Sequence, residues 1–147
     1  MRDASPVRWI AAAMMTTCVL SGDAVGADAR AKADISCRPA ANKLQYDCTI
    51  KLTDARTDEP LTGVELTVGA DMPSMPTAHN VRPAKATAAT EPGTYHVQIQ
   101  LEMHGDWALR LDLAGRVRDR VVKSLRFEDD RAIDAPHPGR PSSPHKH

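Results

Sequence analysis

Apolar and polar residues alternate along several stretches of this chain. A period of two is typical of β-strands that bury one face and expose the other. A stretch near the end, VRDRVVKSLRF (117–127), predicts a last strand with Val121, Leu125 and Phe127 inward, although Lys123 interrupts its pattern. No segment after residue 27 shows the spacing of an amphipathic helix. The clearest alternating segments are QYDCTIKL (45–52), VELTVGADM (64–72), YHVQIQLEM (95–103) and WALRLDL (107–113).

Turn-forming residues separate these stretches. The Pro-Gly pair at 92–93, the Gly-Asp pair at 105–106 and Gly115 each stand between two alternating segments. The Gly-Asp pair and Gly115 are each predicted to close a β-hairpin. Trp107 opens the next strand, and we expect its side chain to lie in the core. Repeated short strands without helices predict an all-β fold, a small immunoglobulin-like antiparallel β-sandwich of about six to seven strands.

The N-terminus has the pattern of a secretory signal peptide. Arg2 and Arg8 precede an apolar stretch at 9–20, and the small residues Val25 and Ala27 suit a cleavage site. The apolar stretch is short for a membrane span. We therefore expect residues 1–27 to be removed, leaving a periplasmic or secreted protein without a membrane span; a retained anchor is the alternative.

The rest of the chain is predicted to contain one domain between two loose ends. Residues 28–33 are small and polar and are interpreted as a loose leader, and residues 34–128 contain the alternating strands. Residues 129–147 contain four prolines, three histidines and few apolar side chains, so they are predicted to be a disordered tail. The tail histidines could also bind a metal ion loosely.

Charge and cysteine content narrow the function classes. The chain has 19 Lys and Arg against 19 Asp and Glu residues, and this balance argues against nucleic-acid binding, which needs a basic excess. Cys37 and Cys48 form an even pair in an exported chain, which predicts a disulfide across a hairpin. Two free thiols or a pair of metal ligands are the alternatives. No motif supplies a nucleophile with a base beside it, so we do not expect an enzyme.

The segment ADMPSMPTAHN (70–80) carries the candidate chemistry. Met72, Met75 and His79 lie in a loop stiffened by two prolines, and Met103 ends another strand that could reach the same place. Thioether sulfur is a soft ligand that suits Cu(I), and imidazole also binds copper. The four side chains are therefore the predicted metal ligands. The alternative is a packed turn, because Met72 and Met103 continue the inward phase of their strands.

These segments resemble the YtkA-like / FixH-like group of exported domains. The shared features are the MPSMPTAH segment (72–79), the PGTY segment (92–95) and the MHGDWAL segment (103–109). The resemblance implies an accessory β-sandwich module associated with copper handling, metal efflux or oxidase assembly. We therefore expect a periplasmic copper-binding protein that passes Cu(I) by ligand exchange to an exported copper-dependent or efflux protein. The alternative is a non-metal module that uses the same loop to dock onto another exported protein.

Overall fold

The structure is a computed structural model, and it describes residues 29–76 and 81–135. The predicted signal peptide, His79 and the tail histidines lie outside these ranges. Within the described ranges, no helix is long and apolar enough to cross a membrane. The strands of the described chain are β1 (Ala31–Pro39), β2 (Gln45–Asp54), β3 (Val64–Asp71), β4 (Ala84–Lys85), β5 (Thr87–Ala88), β6 (Thr94–Gln100), β7 (Gly105–Gly115), β8 (Asp119–Phe127) and β9 (Ala132–Asp134).

The strands form two antiparallel sheets. Sheet A has the order β1-β2-β6-β5, and sheet B has the order β4-β3-β7-β8-β9. The prediction of an all-β antiparallel sandwich is confirmed. Six strands have seven or more residues, which fits the predicted six to seven, while β4, β5 and β9 have only two or three. Such short strands were not expected, since two or three residues are too few to show a period of two.

The core lies between the sheets, where the alternating apolar residues of both meet. Trp107 is fully buried, as predicted. The rings of Tyr46 in sheet A and Phe127 in sheet B pack edge to face with their centroids 4.7 Å apart. The largest fully buried side chains are those of Trp107, Tyr46, Phe127, Ile50, Leu52, Leu101, Leu109, Leu111, Val68 and Cys48.

The two predicted loose ends are partly built into the sheets. Residues 31–33 of the predicted leader begin β1, and Ala33 is completely buried opposite Leu52 of β2. The short alanine side chain gave a weak apolar signal, so the prediction of a leader over 28–33 was wrong for these residues. Beyond the predicted boundary at 128, β9 pairs with β8.

The predicted turns differ in what they connect. The turn at 92–93 joins β5 to β6, and Gly115 ends β7 where it turns into β8, as expected. The prediction of a hairpin at 105–106 was wrong, because β6 lies in sheet A and β7 in sheet B. Turn residues indicate that the chain bends, but they do not say which strand becomes the partner. Gly93 is required where it stands: its φ is +73°, and a Cβ there would lie 2.8 Å from the carbonyl oxygen of Leu52.

The predicted disulfide is present. Cys37 of β1 and Cys48 of β2 are register partners, and their sulfur atoms are joined at 2.00 Å. The bridge therefore fastens the outer strand of sheet A to its neighbour. Such bonds persist in oxidising compartments, so the bridge fits an exported protein.

One short segment belongs to both sheets. Strand β4 pairs with β3 through Lys85 and Thr67, and two residues later β5 pairs with β6 through Thr87 and His96. Between them, the backbone N–H of Ala86 donates a hydrogen bond to the carbonyl oxygen of Leu66 at 2.9 Å. Residues 84–88 thereby link the edges of the two sheets on one side of the sandwich.

Candidate functional site

The candidate methionines gather at one end of the sandwich. Strand β3 ends at Asp71, which is paired with Ala108 near the start of β7. The chain that leaves β3 and the chain that enters β7 therefore lie next to each other. We call residues 72–76 and 101–105 together the methionine end. They include Met72, Met75 and Met103, the three methionines that follow the predicted signal peptide.

Met72 is the buried member of this group. It is 4% exposed and belongs to the hydrophobic core. Its Cε atom lies 3.4 Å from the place where a Cβ on Gly105 would stand, so its methyl group packs under the start of β7. Gly105 has a φ of +135°, a conformation that residues with a side chain rarely adopt. Met72 therefore joins the two halves of the methionine end by direct packing.

Met75 is the accessible member on the first half. It is 40% exposed, and its backbone N–H donates a hydrogen bond to the carbonyl oxygen of Met72 at 3.0 Å. This bond closes a four-residue turn that begins at the buried Met72. Pro73 lies inside the turn and Pro76 follows it, and each fixes one backbone angle. The exposed thioether is thus carried by a restrained backbone.

Met103 is the accessible member on the second half. It was predicted to continue the inward phase of its strand, but β6 ends at Gln100 and Leu101 is the last buried residue of the run. Met103 is instead 39% exposed. Its carbonyl oxygen accepts a hydrogen bond from the indole Nε1 of Trp107 at 3.1 Å, which fixes its backbone to a buried ring.

The structure therefore places three of the four predicted ligands at one end. His79, the fourth, lies outside the described residues. Within residues 29–76 and 81–135, no group of three or more His, Cys, Asp or Glu side chains could hold a metal ion. The predicted ligands that the methionine end contains are thioethers, which bind soft ions such as Cu(I) in preference to hard ones.

A sequence comparison assigns the chain to a family. The family model described as YtkA-like matches residues 30–112, more than half of the chain. The chain belongs to the YtkA-like family. The matched range includes β1 to β6, most of β7 and the whole methionine end. No curated protein and no solved structure matches the chain. The FixH-like part of the resemblance stays a prediction.

The YtkA-like domain also has a polar cleft beside the methionine end. His104 Nε2 lies 3.4 Å from Asp129 Oδ1, and the two side chains line a cleft of about 280 Å³ with residues 39–46. The hydroxyl of Tyr46 donates to the carbonyl oxygen of Glu128 at 2.7 Å. Burial, together with the charge of Asp129, raises the pKa of Tyr46 above its usual value. Neither His104 nor Asp129 was among the predicted ligands, and Asp129 was assigned to the tail.

An ion pair fixes the start of β7 in the YtkA-like domain. Arg126 of β8 donates two hydrogen bonds to its register partner Asp106, with Nε–Oδ1 and Nη2–Oδ2 distances of 2.6 and 2.8 Å. These hydrogen bonds lower the pKa of Asp106 below its usual value. Because Asp106 follows Gly105 directly, the pair holds the backbone against which Met72 packs.

Proposed function

We propose that this YtkA-like domain binds Cu(I) through the thioethers of the methionine end and transfers it by ligand exchange. The observation that supports the proposal is that two methionines have exposed side chains on a backbone that hydrogen bonds hold in place. Met75 and Met103 are 40% and 39% exposed, and both are held by hydrogen bonds to buried residues. Two accessible soft donors at one end of a rigid sandwich are suited to receiving a soft ion from solution or from a partner.

The methionines have different roles in this proposal. Met75 and Met103 supply accessible sulfur atoms, and His79 supplies an imidazole from the same loop as Met75. Met72 is one of the predicted ligands, but its burial against Gly105 supports a second role, that of holding the two halves of the site together. Thioethers are neutral and bind without losing a proton, so the bound ion can leave for another soft site without proton transfer.

The role is that of an exported accessory protein rather than an enzyme. The disulfide supports export, and membership of the YtkA-like family supports an accessory domain. The proposed partner is an exported protein that uses or removes copper. It would take the ion from the exposed thioethers of Met75 and Met103.

Titration of the full chain with Cu(I) against a competing chelator tests the metal proposal. We expect one equivalent bound with sub-micromolar affinity. Met75→Leu and Met103→Leu should each weaken binding by about tenfold or more, equivalent to about 1.4 kcal/mol. The matched control is Val122→Ala, an exposed apolar residue of β8 outside the methionine end, which should leave the affinity unchanged. Binding too weak to compete with the chelator would refute the proposal.

A docking module is the second candidate function. It is favoured by the same exposed apolar side chains, Met75 on the turn that contains Pro73 and Met103 before β7, since a preformed apolar surface loses little entropy on binding. The leucine variants separate the two functions, because leucine keeps the apolar surface and removes the sulfur. Docking is the function if an exported partner binds the two leucine variants with the same affinity as the unchanged chain, and if the unchanged chain binds no Cu(I).

A further inference from the structure

The methionine end contains both exposed and buried thioether sulfur atoms. Met75 and Met103 are 40% and 39% exposed, whereas Met72 is 4% exposed. All three have the same chemistry, so accessibility decides which of them a dissolved reagent reaches. Thioether sulfur is oxidised in water by peroxides, and the product is methionine sulfoxide. An exported domain meets such oxidants without the reducing surroundings of the cytoplasm.

We propose that Met75 and Met103 are oxidation sites and that their conversion to sulfoxides switches metal binding off. The second half of this inference rests on the proposed function. In each step the sulfur lone pair attacks one oxygen of hydrogen peroxide and the O–O bond breaks. An S–O bond forms, and the departing hydroxide takes the proton of the transferred oxygen and becomes water. The sulfur loses two electrons and the peroxide gains them, so no further reactant is needed.

Oxidation changes the donor at these two positions. A thioether offers a soft, neutral sulfur, whereas a sulfoxide is polar and offers oxygen, which suits hard ions. Cu(I) therefore loses two of its proposed ligands when both residues are oxidised. Met75 and Met103 make these hydrogen bonds with backbone atoms: Met75 through its N–H to Met72, and Met103 through its carbonyl oxygen to Trp107. Oxidation of the side-chain sulfur therefore leaves the backbone of the site unaffected.

The fold tolerates this change because of where the two residues lie. Neither Met75 nor Met103 is part of a strand, and a new polar oxygen on an exposed side chain is solvated by water. The same oxygen on Met72 would be buried in the core against Gly105, where an unpaired polar group is costly. Oxidation at the accessible pair thus changes metal binding and leaves the sandwich folded.

The test is to treat the full chain with hydrogen peroxide and follow each methionine by peptide mapping. We expect Met75 and Met103 to gain oxygen several-fold faster than Met72 while the far-UV circular dichroism spectrum stays unchanged. Oxidation of Met72 at the same rate, or loss of the β spectrum as Met75 and Met103 react, would overturn the assignment. Met75→Leu with Met103→Leu is the control, and its Met72 should remain slow.

The second measurement is Cu(I) affinity as a function of oxidation. The affinity should fall by about tenfold or more as the fraction of sulfoxide at Met75 and Met103 rises. It should not follow the oxidation of Met14 and Met15, which lie in the predicted signal peptide. Unchanged affinity after full oxidation, together with a tenfold loss in Met75→Leu and Met103→Leu, would overturn the switch and leave the metal proposal standing. If the untreated chain binds no Cu(I), the metal proposal and the switch both fail, while selective oxidation remains measurable on its own.

Discussion

The indole Nε1–H of Trp107 donates a hydrogen bond to the carbonyl oxygen of Met103 at 3.1 Å. The ring is fully buried, and Met103 is 39% exposed. This hydrogen bond therefore connects the core to a residue at the surface of the methionine end. Since Trp107 stands near the start of β7, the position of Met103 follows from the packing of the sandwich rather than from its own side chain.

Replacing Trp107 by phenylalanine should uncouple Met103 from the core. We expect Trp107→Phe to lower the free energy of unfolding by about 1–3 kcal/mol, because the hydrogen bond is lost and the smaller ring leaves space. Urea denaturation measures the loss. The matched control is Leu109→Val, a buried change in the same strand. Amide exchange at residues 103–105 should accelerate in Trp107→Phe only; equal acceleration in both variants would contradict the coupling.

The two tyrosine hydroxyls should contribute unequally to stability. Tyr95 donates to the carbonyl oxygen of Leu61 at 2.9 Å and accepts from the N–H of Val64 at 3.3 Å, both in the buried interior. Tyr46 makes one bond, to Glu128, in a partly buried place. Tyr95→Phe is expected to cost about 1–3 kcal/mol and Tyr46→Phe about 1 kcal/mol, measured by chemical denaturation. The reverse order would show that the pair at Leu61 and Val64 finds other partners.

Reduction of the disulfide should destabilise the domain without changing its fold. The bridge closes a loop with a sequence separation of 11 residues. In the chain-entropy model this corresponds to about 2–3 kcal/mol of stability. Urea unfolding with and without a reductant measures the difference. The double variant Cys37→Ala with Cys48→Ala is the control and should not respond to the reductant; a response there would place the effect elsewhere.

The pair of Asp106 and Arg126 should make stability depend on pH in the acid range. The pKa of Asp106 is lower in the folded chain than its unfolded value of about 3.9, so the folded state favours the charged form. Its contribution is complete above that value and is lost as the pH falls through the folded pKa. Because Asp106 is 46% exposed, the effect is small.

The variant Asp106→Asn tests this contribution. It should unfold at a lower urea concentration than the unchanged chain at neutral pH, and the difference should shrink as the pH falls below about 4. The other carboxylates, including Asp112 beside Arg110 and Arg120, are present in both proteins. Their effects therefore cancel in the difference in stability between the two proteins at each pH. A difference that persists unchanged at low pH would show that the asparagine acts through packing rather than charge.

The sequence was sufficient for the long strands because each buries one face only. Strands β2, β3, β6, β7 and β8 show the period of two that the two-layer arrangement demands. Strand β1 was less visible at its start, since Ala31 and Ala33 bury little apolar surface. The division of strands between sheets was not predictable, because it depends on pairings such as Gln45 with Gln100, which are far apart in the sequence.

The metal site stays a prediction, and hydrophobic alternation indicated the exposure of its methionines only in part. The neighbouring ends of β3 and β7 bring Met72 close to Gly105, as the expected clustering of strand ends implied. Alternation also indicated correctly that Met72 lies in the core. It failed at Met103 because β6 stops pairing at Gln100, and a change of sheet after that residue leaves no mark in the hydrophobic pattern.

The segment 84–88 has a consequence for how copies of the domain meet. A strand at the edge of a sheet has free backbone groups that can pair with another molecule, and such pairing leads to aggregation. Here one segment occupies part of the β3 edge at Thr67–Val68 and part of the β6 edge at Tyr95–His96. Five residues thus obstruct parts of two sheet edges at once. A proline in place of Ala86, whose N–H bonds to Leu66, would expose both edges together to neighbouring molecules.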